Sequence, residues 1–217
     1  NGGVATEVEF NQTEGALTLN NDGVKDAGLY DYFNYNIGGA ITKGQIDLGF
    51  KFKTNGAYFG IILDSGNGKS DSTPALTITP WGNTGSAQGL TGVIGYGKFP
   101  WEPLSIAESA ELGQHSDNAF GAWLIAEISA RPQDMKYSIV IKKENGSVLA
   151  QKSGLDMTGT QIQRIVFVQL DEMEWNAVTY VKDIKVDFSL VRPELKDTGI
   201  KFVDIKGNTP EKPIEIN

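Results

Sequence analysis

Residues 45–63 of the chain, QIDLGFKFKTNGAYFGIIL, decide its fold class. Every second residue of 46–52 is apolar, and the residues between them are polar or glycine. This period-two alternation predicts a β-strand with one buried face. Asn55-Gly56 then has the sequence of a tight type I′ turn, because both central residues of that turn need positive φ angles. Residues 57–63 return as a more apolar strand, so we predict a β-hairpin in the middle of an antiparallel sheet.

Short β-prone segments on both sides of this hairpin supply its expected neighbours in the sheet. They cover residues 4–10, 16–19, 29–36, 75–80, 90–96, 122–130, 137–141, 148–150, 165–170 and 178–190. Gly38-Gly39 is expected to end the aromatic segment before it, and Asn145-Gly146 is predicted to form a second tight turn. About ten to thirteen short strands without a strand–helix–strand rhythm predict an all-β fold, an antiparallel β-sandwich of the jelly-roll kind.

One short helix is predicted inside an insertion at residues 98–118. Ser105 and Glu108 have the spacing of a capping box, in which the two side chains satisfy backbone N–H groups of the first helical turn. Residues 106–112 have a modest apolar face, and Gly113 is a suitable helix end. The sandwich is therefore expected to carry a helix over residues 106–112.

The chain length and a change in composition predict one domain followed by a tail. The 217 residues, of which 40% are hydrophobic, are enough for a single β-sandwich domain over residues 1–192. Residues 193–217 are expected to add an edge strand at 201–205 and a Pro-rich linker or tail at 209–217. Such a linker implies further domains in a longer parent chain.

The formal net charge of −8 argues against nucleic acid and anionic membranes as partners, because phosphate recognition needs a basic surface. No apolar run approaches the length of about 20 residues that a membrane-spanning helix requires. The chain has no cysteine, so it has neither disulfides nor a cysteine nucleophile. This combination fits an exported bacterial protein, and we expect an extracellular, periplasmic or cell-surface location.

Three stretches of the sequence together resemble a known group of β-sandwich domains. They are KGQIDLGFKFKTNGAYFGIIL at 43–63, GAWLIAEISARPQDMKYSIVIKKENGSVLA at 121–150 and IQRIVFVQLDEMEWNAVTYVKDIKV at 162–186. Their order of strands and turns is similar to that of concanavalin A-like, laminin-G-like jelly rolls. The resemblance implies this fold and a lectin-like role, because bacterial members are often non-catalytic carbohydrate-binding modules. Other members are glycoside hydrolases or polysaccharide lyases, so the fold alone leaves the chemistry open.

A glycoside hydrolase of this fold needs acidic residues at alternate positions of one strand, so that a nucleophile and an acid flank the sugar. The nearest match is QLDEME at 169–174, in which Gln169 occupies the place of the nucleophile. Glutamine forms no glycosyl-enzyme bond, and Asp171 and Glu174 have only the spacing of a bulged variant. We therefore expect these carboxylates to belong to a solvated strand end.

A polysaccharide lyase of this fold needs a base and an acid, usually tyrosine and histidine, beside a group that neutralises the uronate. The only histidine is His115, in the predicted insertion. The available guanidinium groups are those of Arg131, Arg164 and Arg192, and no two have the spacing that places them on one face of a strand. A polysaccharide lyase or a glycoside hydrolase of the same fold remains the alternative function, without a catalytic constellation to support either.

The loop DSGNGKSDST at residues 64–73 is a candidate calcium site. Asp64, Asn67 and Asp71 supply oxygen donors of the kind that hard cations prefer. No glutamate stands at the position that closes an EF-hand loop, so ordinary turn chemistry, which favours the same residue types, is the alternative. A structural calcium ion is the one cofactor that the sequence suggests.

Aromatic residues in predicted loops are the main indication of function. Rings at strand exits are available to stack on the C–H faces of sugars, and they are Trp81, Tyr96, Trp101 and Trp175. Polar neighbours that hydrogen-bond sugar hydroxyls are Asn83, Glu102 and Asn176. Trp123, inside a predicted strand, is expected to cap the core or hold the insertion down. The sequence thus predicts non-catalytic binding of a polysaccharide or oligosaccharide, with an adhesion domain for a non-glycan ligand as a third alternative.

Overall fold

The computed structural model describes residues 9–20, 30–54, 58–68, 71–79, 91–95, 110–114, 122–170 and 178–189. Thirteen β-strands account for most of these residues. The strands are β1 Glu9–Asn11, β2 Ala16–Asn20, β3 Tyr30–Ile41, β4 Gln45–Thr54, β5 Tyr58–Asp64, β6 Thr73–Thr79, β7 Thr91–Gly95, β8 Ala110–Gln114, β9 Leu124–Arg131, β10 Lys136–Lys143, β11 Val148–Asp156, β12 Ile162–Leu170 and β13 Val178–Ser189. A 3₁₀ turn, Pro132–Asp134, joins β9 to β10.

The strands form two sheets that pack face to face. The order in the seven-stranded sheet is β1-β2-β13-β4-β9-β10-β11, and the order in the six-stranded sheet is β3-β12-β5-β6-β7-β8. Every neighbouring pair is antiparallel. This arrangement confirms the antiparallel β-sandwich predicted from the alternating strands. A membrane-spanning helix needs a length and an apolar content that no helix in the described ranges has.

The core lies between the sheets, and its buried residues come from the apolar sides of β2, β4, β5, β6, β9, β10, β12 and β13. In β4 burial alternates strictly, and its inward residues, each at most 2% exposed, are Ile46, Leu48, Phe50 and Phe52. The ring of Phe167 in β12 stacks on Phe33 of β3, with centroids 4.4 Å apart, and meets Phe50 edge-on at 5.2 Å. Burying one such ring stabilises the fold by about 1.5–3 kcal/mol, so this aromatic cluster ties the two sheets together.

β4 and β5 do not form the predicted hairpin. β4 pairs with β13 and β9 in the seven-stranded sheet, whereas β5 pairs with β12 and β6 in the six-stranded sheet. The two strands face each other across the core, and the ring centroids of Phe52 and Phe59 are 5.5 Å apart. Face-to-face packing buries these rings against each other, which side-by-side pairing in one sheet does not. The Asn55-Gly56 turn itself lies outside the described residues.

The helix predicted over residues 106–112 is wrong where the structure describes it. Ala110–Gln114 is strand β8, which pairs with β7 in an antiparallel ladder. Ladder hydrogen bonds to β7 satisfy the backbone groups on one edge of this segment, and the weak apolar face of the predicted helix does not outweigh them. Residues 96–109 lie outside the described ranges.

Gly38-Gly39 marks an irregularity inside β3 rather than its end. Beyond the pair formed by Asn36 and Arg164, the register between β3 and β12 shifts. Gly38 has a φ angle of +86°, which glycine adopts without the steric cost of a Cβ atom. The glycine pair therefore permits a bulge, and the strand continues to Ile41.

A bulge at Asp183 reverses the alternation of inward and outward residues in β13. Val181 is buried before the bulge, and Ile184, three positions later, packs against the core after it. Asp183 has a φ angle of +55°, and the register with β4 shifts at the same point. Aspartate tolerates this conformation better than most residues with a Cβ atom. The strand therefore faces the core in two different phases.

The second predicted turn, Asn145-Gly146 between β10 and β11, is confirmed. Gly146 has a φ angle of +84°, and its N–H donates a hydrogen bond of 2.9 Å to the carbonyl of Lys143. The side-chain oxygen of Asn145 accepts hydrogen bonds from the N–H and the hydroxyl of Ser147. The turn is thus closed by both backbone and side-chain contacts.

Candidate functional site

The residues predicted to bind sugar lie outside the described ranges, so their arrangement remains a prediction. They are Trp81, Asn83, Tyr96, Trp101, Glu102, Trp175 and Asn176. The strands to which these loops attach are described, however. The directions of those strands fix the end of the sheet from which each loop leaves.

The six-stranded sheet has two ends that its strand directions define. At one end, which we call the Thr79 end, β6 and β12 finish and β5 begins, because Phe59 of β5 pairs with Ile78 of β6 and Gln169 of β12. At the opposite end, the Asp64 end, β5 finishes and β6 and β12 begin. Each loop that connects these three strands to others therefore starts from a known end.

Trp81 and Trp175 both follow strands that finish at the Thr79 end. Trp81 is two residues beyond Thr79 of β6, and Trp175 is five residues beyond Leu170 of β12. At 3.8 Å between consecutive Cα atoms, their Cα atoms lie within about 8 Å and about 19 Å of those strand ends. The fold therefore starts the two tryptophan loops from the same end of one sheet.

Tyr96 and Trp101 follow a strand that points the other way. β7 is antiparallel to β6 and runs from the Thr79 end towards the Asp64 end, finishing at Gly95. A platform shared by Trp81 and Trp101 thus requires the segment after β7 to turn back towards the Thr79 end. Trp81 and Trp175 need no such reversal.

In the predicted calcium loop, the chain itself engages the carboxylate of Asp64. Its Oδ1 atom accepts hydrogen bonds from the hydroxyl of Ser72 at 2.8 Å and from the N–H of Gly66 at 3.0 Å. Its Oδ2 atom accepts a hydrogen bond of 2.7 Å from Nε of Arg164, and Nη2 of the same guanidinium completes the ion pair. Both carboxylate oxygens are therefore in use.

These contacts do not fit calcium ligation by Asp64. The guanidinium of Arg164 already supplies the positive charge that a calcium ion would bring to the carboxylate. Asn67 and Asp71 are exposed on the same loop. Across the residues that the structure describes, no three His, Cys, Asp or Glu side chains are grouped to hold a metal ion. A calcium site at these residues stays a prediction, and it requires Arg164 to be displaced from Asp64.

The carboxyl group of Asp64 has a lowered pKa and is therefore ionised at neutral pH, as its ion pair with Arg164 requires. Burial raises the pKa of Asp64, but hydrogen bonds from Gly66 and Ser72 and the guanidinium of Arg164 lower it by more, to below the ordinary value of 3.8. The side chain of Asp64 is 11% exposed, whereas that of Arg164 is 42% exposed. The pair thus has a buried acceptor and a guanidinium that reaches the surface.

The outer face of the six-stranded sheet is accessible beside this pair. Directly opposite residues of antiparallel strands point to the same face. Two adjacent rows on the outer face are therefore Asn36–Arg164–Asp64 and Asn34–Val166–Ile62, each from β3, β12 and β5 in that order. Both asparagines are exposed, and Val166 and Ile62 are half-buried. Sequence reasoning missed these asparagines, because its only signal was their alternation with aromatic residues in 29–36.

Gln169, which takes the place of the nucleophile in the hydrolase alternative, faces the core. It is 1% exposed and lies on the same side of β12 as Ile165 and Phe167, which are fully buried. A catalytic carboxylate at this position would point into the sandwich rather than at a sugar. Asp171 and Glu174 lie outside the described residues.

The two described arginines lie on different sheets. Arg131 is exposed at the end of β9 in the seven-stranded sheet, and its Nε donates to Oε1 of Gln45 at 3.0 Å. Arg164 belongs to the six-stranded sheet. The structure does not bring these two together as a uronate clamp, and His115 and Arg192 lie outside the described residues.

Trp123 lies on the outer face of the seven-stranded sheet, so the prediction that it caps the core is wrong. It is half-buried, and Nζ of Lys182 lies 3.7 Å from its ring centroid, with Nζ of Lys53 at 5.3 Å. The ammonium group of Lys53 also pairs with Glu14 at 2.6 Å. Side chains alternate between the two faces along a strand, so the residue before the buried Leu124 points away from the core. Its ring is therefore available for contact with the two lysines.

Comparison with protein-family models gives no match, and comparison with curated proteins gives none either. Solved structures of similar fold include a lectin from Bauhinia forficata in complex with GalNAc, at 12% identity over 84% of this chain and 90% of that chain, with a TM-score of 0.52. Lectin I-B4 from Griffonia simplicifolia in a metal-free form matches at 13% identity, 86% and 90% coverage and a TM-score of 0.50. Alginate lyase AlyC3 in complex with dimannuronate matches at 11% identity, 87% and 80% coverage and a TM-score of 0.50.

At these identities the likeness establishes the fold. The chain is a concanavalin A-like jelly-roll sandwich, as the three resembling stretches of sequence predicted. Lectins and a lyase share this architecture, so function has to be argued from the surface of this chain.

Proposed function

We propose that the chain is a non-catalytic carbohydrate-binding module of a secreted or surface glycan-degrading system. Its ligand is a polysaccharide or oligosaccharide, held by stacking on aromatic rings and by hydrogen bonds to hydroxyl groups. In this proposal the module is extracellular, periplasmic or attached to the bacterial cell surface. It acts alongside further domains of a longer parent chain.

The attachment of Trp81 and Trp175 to the same end of the six-stranded sheet carries this proposal. Asn83 and Asn176 accompany them in sequence and provide donors and acceptors for hydroxyl groups. The fold adds support, because a lectin bound to GalNAc and a lyase bound to dimannuronate have similar structures. Rings at a loop end of this sandwich are therefore the proposed sugar platform.

The alternative is a polysaccharide lyase, favoured by the likeness to alginate lyase AlyC3. Two observations weigh against it in the described part of the chain. Arg131 and Arg164 lie on different sheets, and Gln169, a side chain able to neutralise a uronate, faces the core. A non-catalytic module needs none of these groups at the surface.

A glycan array read beside an activity assay tests the proposal. The same polysaccharides are offered for binding and for cleavage, and cleavage is followed by release of reducing ends and by the ultraviolet absorbance of unsaturated products. We expect binding without product. Product from any bound polysaccharide would establish the enzyme instead, and the absence of binding to every glycan would leave adhesion to a non-glycan ligand.

A further inference from the structure

We propose that Asn34, Asn36 and Arg164 form a binding subsite for a neutral glycan on the outer face of the six-stranded sheet. The inference rests on the proposed function and adds a second area of contact, at the Asp64 end of the sheet. In this subsite the two asparagines and the free edge of the guanidinium bind sugar hydroxyls. Asp64 is a positioning residue, because its carboxylate holds the guanidinium of Arg164.

The register of three strands places these groups side by side. Asn36 is directly opposite Arg164, and Asn34 is directly opposite Val166, so both asparagines lie on the outward side of β3 next to β12. Directly opposite Cβ atoms lie about 4.5–5.5 Å apart, and two positions along one strand span about 6.6 Å. The three polar groups are thus within the reach of one or two sugar rings.

The guanidinium is held in place before any ligand binds. Nε and Nη2 of Arg164 face Oδ2 of Asp64, which is itself fixed by Ser72 and Gly66. Within the described residues, Nη1 of Arg164 and the side chains of Asn34 and Asn36 have no hydrogen-bond partner. A donor that is already oriented loses little entropy on binding, so each hydrogen bond to a hydroxyl contributes more to affinity.

The floor of the subsite is aliphatic and its extent is limited. Val166 and Ile62 are half-buried between the polar groups and offer C–H surface to a sugar ring. Towards the Thr79 end, the next outward residues of β12 and β6, Val168 and Thr77, are 6% and 0% exposed. The accessible part of this face is therefore the part that carries the two asparagines and Arg164.

The charge of this surface selects a neutral ligand. On the outward positions of β3, β12 and β5 within the described residues, the only charged side chains are Arg164 and Asp64, and they neutralise each other. The chain as a whole carries a net charge of −8, which repels a polyanion. Hydroxyl groups, which accept from guanidinium and both donate to and accept from carboxamides, match these residues better than carboxylates do.

Affinity electrophoresis tests the subsite with the variants Asn34→Ala and Asn36→Ala in gels that contain galactomannan, xyloglucan or, as the acidic counterpart, alginate. Gln151→Ala is the control, because Gln151 is an exposed amide on β11 of the other sheet. We expect the neutral gels to retard the wild type and the control equally. Each asparagine variant should bind about three- to tenfold more weakly, with an unchanged melting temperature, since each loses one or two hydrogen bonds. Retardation of the wild type should persist in the presence of a chelator, because the proposed subsite contains no metal ion.

Each other result would overturn the inference in a recognisable way. Wild-type binding to a neutral glycan with no loss in either asparagine variant would remove the subsite and leave the proposed function intact. Retardation by alginate alone would overturn the neutral ligand, and loss of retardation in a chelator would overturn the metal-free arrangement. No retardation of the wild type by any polysaccharide would remove the proposed function and the subsite together.

Discussion

Arg164 of β12 and Asp64 of β5 are 100 residues apart in sequence, and Nε of the arginine donates a 2.7 Å hydrogen bond to Oδ2 of the aspartate. The contact joins two neighbouring strands, and Oδ1 of the same carboxylate accepts a hydrogen bond from Ser72 across the loop that follows β5. The ion pair therefore has two effects: it stabilises the Asp64 end of the sheet, and it fixes the orientation of the guanidinium on the outer face.

Removing the guanidinium should destabilise the fold measurably. In Arg164→Ala the mostly buried carboxylate of Asp64 loses its counter-ion, and leaving such a group unpaired costs about 1–3 kcal/mol. For a chain of this size that lowers the melting temperature by several degrees. Arg131→Ala is the matched control, because Arg131 is exposed and hydrogen-bonds only an amide among the described residues. Equal melting temperatures of the two variants would contradict this account.

The contribution of Asp64 should depend on pH in one direction. Its folded pKa lies below 3.8, so ionised Asp64 stabilises the fold above that pH, and this stabilisation is lost as the pH falls through the folded value. We expect wild type and Asp64→Asn to differ most in urea unfolding near neutral pH. The difference should shrink below pH 3.8, and a difference that grows on acidification would show that the carboxylate is not held as described.

Calcium should have little effect on the stability of the wild type. Because Arg164 already occupies Oδ2 of Asp64, a calcium ion has to displace a guanidinium to bind there. We expect a chelator and added calcium to leave the melting temperature unchanged. A rise with calcium that Asp71→Ala abolishes would instead establish the loop as a metal site, by the linkage of binding to stability.

The loop tryptophans should contribute to glycan binding in a pattern set by the topology. Losing one stacked ring costs on the order of 1–3 kcal/mol, so Trp81→Ala and Trp175→Ala should each abolish weak binding in affinity gels. Trp101→Ala should have a smaller effect, since its loop leaves β7 in the other direction. Thermal melts of all three variants serve as the control for folding. A dominant effect of Trp101→Ala would instead indicate a platform shared by Trp81, Tyr96 and Trp101.

Trp123 and Lys182 should show coupling in a double-mutant cycle. The ammonium group lies 3.7 Å from the ring centroid, a geometry that contributes about 0.5–1 kcal/mol at a partly exposed site. Chemical denaturation of Lys182→Gln, Trp123→Leu and the double variant measures this coupling. Lys185→Gln, an exposed lysine on the same strand, is the control. Strict additivity of the two single changes would show that the contact contributes nothing.

Removal of residues 209–217 should leave the melting temperature unchanged, because this segment is polar and Pro-rich. Removal of residues 193–217 also deletes the predicted edge strand at 201–205 and should lower the melting temperature by several degrees. Melts of the two truncated chains, compared with the full chain, check this division. A loss of stability in the shorter truncation would contradict it.

Local alternation was enough to predict the strands but not their partners. The apolar period of residues 46–52 places β4 correctly, because burying one face of a strand requires that period in any sheet. Whether β5 pairs beside β4 or packs opposite it depends on contacts such as that between Phe52 and Phe59, which no local pattern encodes. The Asn-Gly signal was reliable at Asn145-Gly146, where the strands pair, and misleading after β4.

The candidate site shows the same division between local and long-range information. The aromatic loops stand out in the sequence because tryptophan is rare and large. The row of Asn36, Arg164 and Asp64 does not, since its members come from three distant segments and meet only through strand register. The failed helix at residues 110–112 belongs here too, because backbone pairing with β7 decided a segment of weak intrinsic preference.

The bulge at Asp183 divides β13 into two parts, and the inward residues of one part are out of phase with those of the other. The part before Asp183 pairs with both β2 and β4, and the part after Asp183 pairs with β4. A regular strand of the same length, without the bulge, would turn Ile184 outward and bring Lys185 against the core. This protein therefore depends on the bulge at Asp183 to keep Ile184 and Val186 facing the core. A one-residue insertion or deletion in the part of β13 after the bulge, which a surface loop would absorb, would exchange the inside of the sheet for its outside.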